Sequence, residues 1–74
     1  MVSTDEVRRR IEDGVAGAQA HVVDTTGGGD HFEVRVTAPC FAGLGLIDQH
    51  RLVYEALGDL MQRIHALSVR TEAA

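Results

Sequence analysis

The chain has 74 residues, of which 45% are apolar, and a formal net charge of −4 with its histidines neutral. That length allows one domain over residues 1–74, with a core near the lower limit for folding without staples, and that apolar share sets it apart from disordered chains. One cysteine excludes an internal disulfide and no run reaches the ~20 apolar residues of a membrane span; with the polar stretch Met1–Arg10, no secretory leader and a cytoplasmic protein are expected.

Ser3-Thr4-Asp5-Glu6 reads as a capping box, and Val7, Ile11, Val15 and Ala18 recur at helical spacing, so a first helix is predicted over residues 4–15. Gly14 and Gly17 end it. The β-branched run from Ala20 to Thr25 predicts a strand, and Gly27–Asp30 a flexible turn. From His31 to Thr37 the alternation is strict: Phe32, Val34 and Val36 face one way, and His31, Glu33, Arg35 and Thr37 the other. Ala38–Gly45 breaks both periodicities and reads as a loop. A second helix is predicted over residues 47–63, with His50, Val53, Tyr54, Leu57, Leu60, Met61 and Ile64 as its apolar stripe. Residues 65–71 alternate as a third strand. The order helix, strand, strand, helix, strand implies an α+β, two-layer sandwich with both helices on one face of a three-stranded sheet.

Most candidate sites have a simpler structural explanation. Gly27–Gly29 precedes a strand rather than a helix, so it lacks the helix N-terminus that phosphate-cradling loops use. Gly14-Val15-Ala16-Gly17 matches the GxxG pattern of nucleic-acid clamps, but it joins a helix to a strand and carries no basic residue. Arg8-Arg9-Arg10 shares its helix with Glu6, Glu12 and Asp13, which suits a solvated face better than a phosphate footprint. Cys40, between Pro39 and Phe41, has no base or cation in sequence to activate it and is expected to be a partly buried, inert thiol. His50 on the apolar stripe is expected to bond a backbone carbonyl, and His21 to lie on the outer face of its strand. No nucleophile–base–orienter set is present, so enzyme activity is not expected.

His65, between a helix and a strand, and His31, after the glycine run, remain as candidate metal ligands. Each alone is more often structural than ligating. Neutral imidazoles bind iron, zinc or copper without thiolate help, yet two donors cannot close a four-ligand site. A [2Fe–2S] cluster needs two ligands per iron. Two histidines could serve one iron, with a second molecule supplying thiolates to the other.

The combination Gly29-Asp30-His31-Phe32-Glu33-Val34, Phe41-Ala42-Gly43-Leu44, His50-Arg51-Leu52-Val53-Tyr54, Ile64-His65-Ala66-Leu67 and Thr71, spread over nearly the whole chain, resembles the BolA family. The resemblance implies a class II KH-like fold and association with a monothiol, CGFS-type glutaredoxin. It also implies a [2Fe–2S] cluster held by the glutaredoxin cysteine, a glutathione thiolate and two residues of the BolA-like chain. His65 matches the ligand before the last strand, and His31 best matches the more variable loop ligand; His65 is expected to be firmly placed and His31 adjustable. Such a protein would be a non-enzymatic adaptor in iron–sulfur trafficking, and a monomer or weak homodimer when alone. The alternative is a KH-like, nucleic-acid-binding transcriptional regulator, which would need Arg35, Arg51, Arg63 and Arg70 on one surface. Two departures stand out: the C-terminal helix common in the family is not expected within these 74 residues, and Gln49 stands where a basic residue often precedes the His-Arg pair.

Overall fold

The computed structural model describes all 74 residues. Helix α1, Thr4–Gly14, begins at Ser3, whose hydroxyl accepts the Glu6 N–H at 3.0 Å. This satisfies one of the backbone donors that every helix start leaves free. Strand β1 spans Gln19–Asp24 and strand β2 His31–Ala38. A 3₁₀ turn at Pro39–Phe41 leads to helix α2, Leu46–Leu57; a second 3₁₀ segment, Gly58–Arg63, leads to strand β3, Ala66–Ala73.

The sheet order is β1-β2-β3, with β1 antiparallel and β3 parallel to β2. Parallel neighbours cannot be joined by a tight turn, and the crossover from Pro39 to Arg63 carries the chain back across the helical layer. Phe32, Val34, Val36 and Ala38 alternate toward the helices and are buried with Val7, Ile11, Val53, Leu57, Leu60 and Ile64. The opposite face of the sheet is uncovered.

The second helix is shorter than its periodicity predicts. Gly58 adopts φ +52°, and its N–H bonds the Tyr54 carbonyl, which closes α2. The apolar positions beyond it, Leu60 and Ile64, still reach the core through the 3₁₀ segment. The stripe is also narrower than expected. Val53 and Leu57 are buried, whereas Tyr54 is 41% exposed. Gly14 does more than stop α1, because a Cβ there would meet the Ala56 Cβ at 2.6 Å; the two helices touch at this point. Gln49 ties the first turn of α2 to the loop before it and to β3. Its Nε2 donates to the Phe41 and Leu44 carbonyls at 3.3 and 2.9 Å, and its Oε1 accepts from the Thr71 hydroxyl at 2.5 Å.

Candidate metal centre

His31 and His65 lie 34 positions apart in the chain, and the parallel register closes that gap. Ala66 is the pairing partner of His31, which puts His65 at the same end of the sheet. The Asp30 carbonyl accepts the His65 N–H at 2.7 Å and the Ala66 N–H at 3.1 Å, tying the entry of β3 to the residue before His31. The two imidazole centroids are 5.0 Å apart, with the ring planes at 30°. His65 is exposed and His31 half-buried.

The loop before His31 is stapled rather than pliable. One Asp24 carboxylate oxygen accepts the N–H groups of Thr26 and Gly27 at 3.3 and 2.9 Å, and the other accepts that of Gly29 at 3.0 Å. The Thr25 N–H and hydroxyl both bond the His31 carbonyl, at 3.0 and 3.2 Å. Gly29, at φ +75°, is buried under the N-terminus, where its carbonyl accepts the Val2 N–H at 3.3 Å. The expected adjustable histidine is thus the first residue of a strand, held by the sheet on one side and by an Asp-capped turn on the other. Asp24 and Asp30 escaped notice in the sequence. The signal for Asp24 was available: an Asp two or three residues before a Gly is an Asx-turn pattern.

Metal–imidazole bonds of roughly 2.0–2.1 Å at a tetrahedral angle place two ring centroids about 5 Å apart, which is the separation this pair has. No third His, Cys, Asp or Glu joins them in a group able to hold a metal. A carboxylate oxygen of Asp30 lies 3.8 Å from His31 Nε2, close enough to orient the ring when protonated. Cys40 sits past the far end of β2, on the order of 25 Å along the strand from His31. It is exposed rather than partly buried, because the 3₁₀ turn directs Phe41 into the core and leaves Cys40 outside. His50 is half-buried on α2 beside Ile47 and Tyr54. His21 lies on the open face of β1, as expected.

The basic run on α1 is engaged within the protein. Arg8 bridges Asp5 and Glu12 at 2.6 and 2.9 Å, Arg9 reaches Asp5 at 2.8 Å, and Arg10 bonds the Leu57 carbonyl at 3.1 Å and Asp59 at 3.0 Å. The Arg8 hydrogen bond holds the Asp5 carboxyl below its ordinary range, and that of Arg10 does the same to Asp59. The four arginines that a nucleic-acid surface would need are divided. Arg35 and Arg70 are paired positions on the open face of the sheet, whereas Arg51 is on α2, 3.7 Å from Asp48, and Arg63 ends the 3₁₀ segment before β3.

The model of the BolA-like protein family matches residues 6–74. Protein BOLA2 of Arabidopsis thaliana is 37% identical over 71 residues, covering 95% of this chain and 76% of that protein. The DNA-binding transcriptional regulator BolA of Vibrio cholerae is 46% identical over 46 residues, 61% of this chain and 43% of its own length. The solved structure of a BolA protein homologue from Coxiella burnetii superposes with a TM-score of 0.78 at 44% identity, covering 96% of this chain and 90% of that one. A match this long, on a fold with the same two helices and mixed three-stranded sheet, makes this chain a member of the BolA-like family.

Proposed function

We propose that this chain is a non-enzymatic adaptor that binds a monothiol, CGFS-type glutaredoxin and gives His65 and His31 to a [2Fe–2S] cluster shared with that protein and glutathione. The observation that carries the reading is the 5.0 Å separation of two imidazoles at the joined starts of β2 and β3. The chain's part is to hold the two donors ready. Bonds through Asp30 and the Asp24-capped turn hold the backbone at both histidines before any partner arrives, so the ordering left for binding is that of the two side chains. Two neutral nitrogens replacing two thiolates on one iron raise the reduction potential of such a centre. A mixed complex would differ in potential and in cluster release from a glutaredoxin homodimer. This supports a role in iron–sulfur trafficking or iron homeostasis.

Visible absorption and circular dichroism, recorded while this chain is titrated into a cluster-loaded monothiol glutaredoxin with glutathione, test the reading. A new spectrum saturating at one chain per glutaredoxin is expected for the native protein, and loss of that spectrum for His65→Ala. An unchanged glutaredoxin spectrum would refute it. A second reading, DNA binding, draws on the name of the Vibrio cholerae relative. The net charge of −4 and the division of the four arginines weigh against it. DNA affinity that falls steeply with salt would revive it.

A further inference from the structure

All seven basic residues of this chain are arginines. Arg8, Arg9, Arg10 and Arg51 have carboxylate partners, whereas Arg35, Arg63 and Arg70 have none within 4.0 Å, and of these three Arg35 and Arg70 lie side by side on the sheet. Arg35 and Arg70 are register partners on β2 and β3, and His21 pairs with Arg35 from β1, so three basic groups form one row across the sheet. All three are exposed. Like charges at paired strand positions oppose sheet formation, so folding alone gives no reason for the arrangement.

The row borders a depression of about 360 Å³ lined by His21, Glu33, Arg35, Ser68 and Arg70. Glu33 and Ser68 also line the neighbouring depression that contains His31. The open face is therefore continuous from the histidine pair to the arginine pair, which lie four residues, or roughly 13 Å, apart along β2. We infer that Arg35 and Arg70 are the electrostatic docking point for a carboxylate cluster on the protein that occupies the histidine pair. This rests on the proposed function, since one partner must span both depressions. Side-by-side guanidiniums suit surface carboxylates, which they bind in two-pronged fashion. With a net charge of −4 the chain as a whole disfavours a carboxylate-rich partner, so the attraction is local to this arginine pair, although Glu33 and Glu72 stand on the same face.

The test measures association of the full chain with a cluster-free monothiol glutaredoxin, and separately the visible circular dichroism of the cluster-loaded mixture. Arg35→Gln/Arg70→Gln is expected to slow association about tenfold at low ionic strength and to flatten its salt dependence. At saturation the double variant should give the native spectrum, and its Tm should not fall. Arg9→Gln, which removes an arginine on α1, should associate like the native chain. Arg70→Gln alone repeats the measurement if the double variant loses its fold. Native-like association of the arginine variants, or an equal loss in Arg9→Gln, overturns the inference. So does unchanged glutaredoxin binding accompanied by lost affinity for duplex DNA. If His65→Ala keeps the native spectrum while the arginine variants associate slowly, the cluster reading fails and the docking surface stands. No association of the native chain overturns both.

Discussion

Gly29 and Gly27 provide a controlled comparison of how the site is held. Both take left-handed backbone, at φ +75° and +76°. An alanine at either position carries the left-handed penalty of about 1–2 kcal/mol. Only at Gly29 does the added Cβ also meet other atoms: the Met1 Cγ, the Val2 carbonyl oxygen at 2.9 Å and the Val2 nitrogen at 3.2 Å, against nothing within 4 Å at Gly27. The Met1 side chain is a free end and can swing away. The Val2 backbone is anchored by its own bond to Gly29, so overpacking there adds about 1–3 kcal/mol. Gly29→Ala should therefore destabilise by roughly 3 kcal/mol and Gly27→Ala by roughly 1–2 kcal/mol. In a chain this short each kcal/mol lowers Tm by about 4–8 °C, so the difference is easily measured by urea unfolding or thermal scans. Gly29 also adjoins Asp30, whose carbonyl holds His65 beside His31. Gly29→Ala should then shift the imidazole proton resonances of both histidines, and Gly27→Ala should leave them in place. Equal stability losses, or unmoved histidine resonances in Gly29→Ala, would refute the claim that this glycine sets the histidine pair.

Other consequences can be checked with single substitutions. In an open helix Gly→Ala stabilises by up to about 1 kcal/mol, but Gly14→Ala should destabilise because of the Ala56 contact, and Ala56→Gly in the same chain should restore stability in urea unfolding. Gln49→Ala removes three hydrogen bonds, two to the loop before α2 and one to β3, and should cost about 2 kcal/mol by the same assay. The Asp5 and Asp59 carboxyls are held below the ordinary range by Arg8 and Arg10, so their contribution is present above the unfolded carboxylate pKa and lost as pH falls through the folded value. Side-chain carboxyl NMR titration should show both below the other surface aspartates, and Asp59→Asn should reduce the acid sensitivity of unfolding. Cys40, exposed and remote from the histidines, should react with a thiol reagent in the native state without altering the spectrum of the glutaredoxin mixture.

Much of the architecture is legible from local pattern. The capped start of α1 follows from Ser3, and the burial of Phe32, Val34 and Val36 follows from alternation. Two features depart from the local pattern for identifiable reasons. Helical periodicity beyond Gly58 continued because Leu60 and Ile64 still face the core, although the backbone there is 3₁₀. Gly27–Gly29 looked pliable because glycine content reports the freedom of the backbone, not the Asp24 carboxylate that removes it.

The chain's own residues determine its class: one short, acidic, aliphatic-cored α+β unit with the motifs of the BolA-like family. They do so because periodicity, capping and turn chemistry act over a few neighbouring positions. Bringing His31 to within 5.0 Å of His65, and Arg35 beside Arg70, is a result of tertiary structure alone. Both meetings depend on β3 joining β2 in parallel and in one register, which the long crossover and the Asp30 carbonyl select and no local pattern encodes.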